Sequence, residues 1–132
     1  MGKGVVMKKR VLVADNEGLI RKLIKTHLAK KGYSVAEAED GQDALEQLIE
    51  DNFDLLICDI LMANNTGIEV LKRLKSNPKT RDIPVILLTS KKEVPDLFEE
   101  YQLGADYYLT KPFTKSQLLH GIELMFEPNE PA

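Results

Sequence analysis

The chain is 132 residues long, 43% hydrophobic and 30% charged, with a formal net charge of −3. That length suits one domain whose core is large enough to need no disulfide or structural metal. The acidic balance argues against a nucleic-acid-binding surface, no apolar stretch is long enough to span a bilayer, and no export signal is visible.

Residues 1–9 are expected to form an N-terminal extension, 10–126 the domain, and 127–132, EPNEPA, a C-terminal tail. Lys8-Lys9-Arg10 reads as a solvated lead into the first strand, RVLVAD (10–15), which is short and apolar. Residues 17–31 carry Leu19, Ile20, Leu23, Ile24 and Leu28 at the spacing of an amphipathic helix, and Lys30-Lys31-Gly32 is its stop. YSVAEA (33–38) alternates like a half-buried edge strand. GQDALEQLIED (41–51) is a second helix with Ala44, Leu45, Leu48 and Ile49 on one face. DLLICD (54–59) is the third strand. Its Cys58 excludes an internal disulfide, reads as a small buried hydrophobe and fits a reducing, cytoplasmic setting. GIEVLKRLKS (67–76) is the third helix, ended by Asn77-Pro78. IPVILLTS (83–90) is the fourth strand, VPDLFEEYQLG (94–104) the fourth helix, DYYLTK (106–111) the fifth strand and TKSQLLHGIELMF (114–126) the fifth helix. Apolar strands separated by amphipathic helices predict an α/β fold with a parallel sheet covered on both faces. The length excludes a closed eight-stranded barrel, which needs about 200 residues or more.

The polar residues fall at the strand ends: Asp15, Asn16 and Glu17 after the first, Asp59 after the third, Thr89-Ser90 after the fourth, Thr110-Lys111 after the fifth. In a parallel sheet these ends share one edge, where such sheets bind ligands. Adjacent carboxylates repel and call for a cation, and oxygen ligands with water suit Mg²⁺. An aspartate carboxylate can attack phosphorus to give an acyl phosphate, with a lysine and a hydroxyl steadying the phosphoryl oxygens.

VLVADNEG, DLLICDILMANNTG, IPVILLTS and GADYYLTKPF, in that order and spacing, resemble the receiver domains of two-component response regulators. The resemblance runs from Arg10 to Phe126. It implies a single-domain, doubly wound, flavodoxin-like fold with five parallel strands in the order 2-1-3-4-5. It makes Asp59 the phosphoacceptor, Thr89 the switch hydroxyl, Lys111 the residue that pairs with the phosphoryl group, and Tyr108 the switch aromatic. Mg²⁺ would be held by Asp15, Asn16, Asp59 and the backbone carbonyl of Leu61, and the Lys111–Pro112 bond would be cis. The implied function is a phosphoacceptor signalling domain, either stand-alone or the receiver of a longer protein, and not an enzyme beyond self-phosphorylation and self-dephosphorylation. A histidine kinase or phosphotransfer protein would be its donor. A downstream target would dock on the face of the fourth helix, fifth strand and fifth helix, with the domain a monomer or a phosphorylation-dependent dimer.

Four positions depart from the usual receiver pattern. Asn16 stands where a second acidic residue usually binds the metal, so the pocket loses a full negative charge. Glu17, next to it, reads as a solvated first-turn residue whose carboxylate is long enough to reach the rim. Ala63 and Thr66 replace a common proline and aspartate, and Ser90 replaces a common alanine or glycine. The alternative that follows from Asn16 is a receiver-like interaction module that works without phosphorylation. An aspartyl phosphatase is set aside, because Leu61 occupies the place of its second aspartate. His27 and His120 read as surface positions.

Overall fold

Successive residues of a strand point to opposite faces, so an uninterrupted apolar run needs cover on both sides. The computed structural model, which describes residues 8–62, 64, 66–90 and 104–126, provides that cover. Strands β1 (Arg10–Ala14), β2 (Ser34–Ala38), β3 (Leu55–Asp59), β4 (Val85–Ser90) and β5 (Tyr107–Lys111) form one sheet in the order β2-β1-β3-β4-β5. Every neighbouring pair is parallel. This is the flavodoxin-like, doubly wound order that the sequence leads one to expect.

Helices α1 (Gly18–Lys30), α2 (Gly41–Glu50), α3 (Gly67–Lys75) and α4 (Lys115–Phe126) lie on the two faces. Ala44 and Leu48 of α2 and Val70, Leu71 and Leu74 of α3 join Leu12, Leu56, Cys58, Val85 and Leu87 in one core. Ile24 and Leu28 of α1 and Leu118 and Ile122 of α4 join Val11, Val13, Leu55, Ile57, Ile86 and Leu88 in the other. Alternate residues of each strand thus serve opposite cores, and each buried Leu or Ile contributes about 1.5–3 kcal/mol. α4 is the fifth helix of the sequence reading. The fourth, over 94–104, lies outside the described residues except for Gly104. Residues 1–7, Ala63 and the 127–132 tail also lie outside. Among the described residues, no helix is long and apolar enough to cross a membrane.

Several side chains depart from their expected places. Leu19 and Leu23 are 84% and 44% exposed, and Ile49 is 55% exposed. Each helix carries two adjacent apolar stripes, and only one can face the sheet. In α1 the Ile20-Ile24-Leu28 stripe packs inward, which turns Leu19-Leu23 outward by about one residue's 100° step. In α2 the Ala44-Leu48 stripe is buried and Ile49 is turned away. Arg10 is no mere solvated lead: its guanidinium bonds Asp51 at 2.6 Å and lies over the Phe53 ring. His27 is half-buried with its Nδ1 unpartnered among the described residues, while His120 is exposed as expected.

The turn into α3 is built on Thr66 and Gly67. Thr66 caps the helix, its Oγ1 accepting the Glu69 N–H at 3.2 Å, so a hydroxyl serves here where an aspartate is common. Gly67 donates its N–H to the Ile60 carbonyl at 2.9 Å. A Cβ at that position would lie 2.4 Å from the Asp59 carbonyl oxygen, a backbone atom that cannot step aside. Gly67→Ala should therefore destabilise the fold by about 1–3 kcal/mol, read as a lower urea midpoint at unchanged slope.

Candidate functional site

The sheet order reverses between β1 and β3, and a crevice at the carboxyl ends of the strands is expected there. Asp15 follows β1 and is fully buried; Asp59 ends β3 and is 7% exposed. Two carboxylates on neighbouring strand ends, both shielded from water, repel each other strongly unless a cation joins them. Lys111, at the end of β5, supplies it. Its Nζ donates to Asp15 Oδ2 at 2.9 Å, to Asp59 Oδ2 at 3.3 Å and to Glu17 Oε1 at 3.3 Å. β4 lies between β3 and β5, so the lysine must cross its end. Asp59 pairs with Leu88, and Lys111 with Ser90, so the crossing falls where β4 carries the small residues Thr89 and Ser90.

The two carboxylates are further oriented by backbone. Asp15 Oδ1 accepts the Glu17 N–H at 2.8 Å, and the Asp59 carboxylate accepts the Leu61 N–H. The Asp15 carbonyl accepts from Arg21 at 2.6 Å, and the same guanidinium holds Glu37 of β2 at 3.0 Å. Thr89 is buried, its Oγ1 3.2 Å from the Ser90 carbonyl. Tyr108 is half-buried against the core shared by α2 and α3. Lys111–Pro112 is cis, as expected. By strand alternation Asp59 and Lys111 share one face of the sheet, and Thr89 and Tyr108 the other.

Burial, and then the charge of Asp15, raise the Asp59 pKa to about 6, against the opposing pull of Lys111 and the Leu61 N–H. For Lys111, burial works against the charged form, but the hydrogen bond to Asp15 and the charges of Asp59 and Asp15 prevail and hold its pKa above the usual lysine value. Cys58 is fully buried, and burial together with the two neighbouring carboxylates pushes its thiol far up, so it stays a protonated hydrophobe as read from the sequence.

Of the residues singled out from the sequence, the structure joins Asp15, Asp59 and Lys111 directly, sets the Leu61 N–H on Asp59, places Thr89 at the end of β4 on the opposite sheet face, and leaves Asn16 exposed at the rim. Glu17 is not merely solvated: it is the N-cap residue of α1, and its carboxylate lies on Lys111. Arg21 is new. Its only local signal is a charged residue beside apolar Ile20 at the front of α1, and nothing in the pattern pairs it with Glu37.

Among the described residues no trio of histidine, cysteine or acidic side chains is set to hold a metal by itself. The donor set nevertheless fits Mg²⁺, which takes one or two carboxylates and keeps several waters. Asp15 and Asp59 already converge on one cation, and the Asn16 amide and Leu61 carbonyl add neutral oxygens in the adjoining loops.

A family model described as the response regulator receiver domain matches residues 11–123. The chain belongs to that family. The receiver is 37% identical over 125 residues to the phosphate regulon transcriptional regulatory protein PhoB of Escherichia coli K12, covering 95% of this chain and 55% of that protein. It is 41% identical over 115 residues to the transcriptional regulatory protein DltR of Streptococcus agalactiae, covering 87% of this chain and 50% of that protein. The receiver thus spans about half the length of these curated relatives. Among solved structures it superposes on the chemotaxis response regulator CheY4 of Vibrio cholerae with a TM-score of 0.85 at 29% identity, covering 90% of this chain and 99% of that one. The receiver domain of the Francisella response regulator 1452 gives 0.82 at 32% identity, covering 91% and 98%. Receiver domains generally use Mg²⁺, interact with histidine kinases and downstream targets, and are not enzymes of the usual kind.

The raised pKa of Asp59 has a stability consequence. Its folded value, about 6, lies above the ordinary 3.8, so the ionised form opposes folding at pH 7 and protonation relieves that opposition. Stability from this group is full below about pH 4 and lost as pH rises through about 6. In metal-free buffer Asp59→Asn should thus be more stable than wild type by about 1–2 kcal/mol at pH 7. The gap should close as urea unfolding is repeated toward pH 4.

Proposed function

We propose that this receiver takes a phosphoryl group on Asp59 from a histidine kinase or phosphotransfer protein and passes the signal on through altered protein contacts. The observation that carries the reading is the single ammonium that reaches both rim carboxylates, Lys111 Nζ lying 2.9 Å from Asp15 and 3.3 Å from Asp59. A carboxylate oxygen of Asp59 attacks phosphorus, the new O–P bond forming as the donor's N–P bond breaks. The departing imidazole nitrogen keeps the electron pair and takes a proton from water, leaving an acyl phosphate on Asp59.

Lys111 follows the negative charge: its bond to Asp59 is the longer of its two aspartate contacts, and it exchanges that oxygen for a phosphoryl oxygen while Asp15 keeps its hold. Thr89 Oγ1 turns from the Ser90 carbonyl toward the phosphoryl group. Tyr108, on the same sheet face as Thr89, responds to the space that this movement frees. When bound, Mg²⁺ would be held by Asp15, Asn16, Asp59 and the Leu61 carbonyl and would offset the charge of the phosphoryl oxygens. The output surface is assigned to β5, α4 and the 94–104 segment, of which only Gly104 is among the described residues. Hydrolysis of the acyl phosphate resets Asp59, so the chemistry is that of a switch.

One observation favours a second reading, a module that binds partners without phosphorylation: Asn16 puts a neutral amide at the rim where a second acid would strengthen cation binding. Intact mass after incubation with acetyl phosphate separates the two. The phosphoacceptor reading expects a gain of one phosphoryl group that needs Mg²⁺ and is lost in Asp59→Ala. No gain at millimolar Mg²⁺ would favour the second reading.

A further inference from the structure

Glu17 occupies the N-cap of α1, a position where Ser, Thr, Asp or Asn would use a side-chain oxygen to satisfy a first-turn N–H. Its side chain makes no such bond. Instead the carboxylate reaches Lys111 Nζ at 3.3 Å, while the backbone N–H of the same residue orients Asp15 Oδ1 at 2.8 Å. Glu17 therefore touches both the buried carboxylate and the ammonium that the site depends on, and forgoes its local cap to do so. Three carboxylates face one ammonium, a local surplus of two negative charges, and Asn16 beside them contributes none. The Glu17 side chain is 62% exposed and that of Lys111 19% exposed, so their ion pair contributes little to folding and is readily remade.

We propose that Glu17 is a positioning residue that draws Lys111 toward the rim and supplies the negative charge that Asn16 withholds, so that the site keeps its attraction for Mg²⁺. The proposal rests on the phosphoacceptor reading for its purpose, though not for its test. With glutamine at position 17 the surplus falls by half, and Lys111 pairs more fully with Asp15 and Asp59. Both changes weaken the pull on a divalent cation.

The test is isothermal titration of the full chain with MgCl₂ and no phosphodonor. Glu17→Gln should raise the Mg²⁺ dissociation constant about fivefold, a size set by one charge a few ångströms away in a solvent-screened rim. Glu17→Asp, which keeps the charge, should retain most of the affinity. Adding Asn16→Asp to Glu17→Gln should restore the affinity. The proposal is overturned if Glu17→Gln stays within twofold of wild type, if the double variant binds no tighter than Glu17→Gln, or if wild type binds no Mg²⁺ at millimolar concentration. No phosphoryl transfer enters the readout, so failure of Asp59 to accept phosphate would leave a positive result standing. A null result at Glu17 would likewise leave the mass measurement on Asp59 untouched.

Discussion

The mutual repulsion of Asp15 and Asp59 organises this end of the molecule. Both carboxylates sit at the ends of adjacent strands and are almost wholly shielded from water, where a charge without a partner costs several kcal/mol. A single ammonium answers both. To do so Lys111 must stand at the end of β5, reach across β4, and find small residues there. The sheet order, the register of β4 on β5 and the identities of Thr89 and Ser90 are all consistent with that one reach. The balance is incomplete: one ammonium stands among three carboxylates, and it lies farther from Asp59 than from Asp15.

The sheet makes this affordable because its two cores are independent of the rim. Val11, Val13, Leu55, Ile57, Ile86 and Leu88 bind α1 and α4 on one face, and Leu12, Leu56, Cys58, Val85 and Leu87 bind α2 and α3 on the other. Those contacts anchor the strands up to their last residues, so the polar ends are displayed on a rigid edge. The loops carry the adjustable parts. Glu17 and Leu61 each contribute a backbone N–H to a buried carboxylate while their own side chains stay largely outside, which lets the rim change partners without disturbing either core.

The groups that share Lys111 are not held alike. Asp15 is tied down further by the Glu17 N–H on its carboxylate and by Arg21 on its carbonyl, which in turn is braced on Glu37 of the edge strand. Asp59 lacks a comparable brace from an arginine among the described residues, so it is the carboxylate from which the ammonium can be drawn away. Under the proposed phosphoacceptor reading, a gain of charge at Asp59 would be felt first by Lys111, the ammonium already in contact with it.

Much of this was legible in the residues themselves. The order of strands and helices follows from local periodicity, the two-faced burial from apolar runs too long to alternate, and the shared edge from the parallel arrangement those runs require. The sequence could also nominate Asp15, Asp59, Thr89 and Lys111, because polar residues at the ends of buried strands are conspicuous. Periodicity could not choose between the two apolar stripes of α1 or of α2, since Leu19-Leu23 and Ile20-Ile24 are equally spaced and only packing on the sheet selects one. Nor could it choose for Glu17 between solvent and the rim that its carboxylate is long enough to reach, or assign Arg21, which looks like an ordinary exposed helix residue. Their partners, Lys111 and Glu37, are 94 and 16 residues away. The sequence by itself determined the elements and the rim because both depend on short-range pattern. The tertiary structure alone decided who holds whom, because distances between strand ends are set by sheet order and register, which no local pattern records.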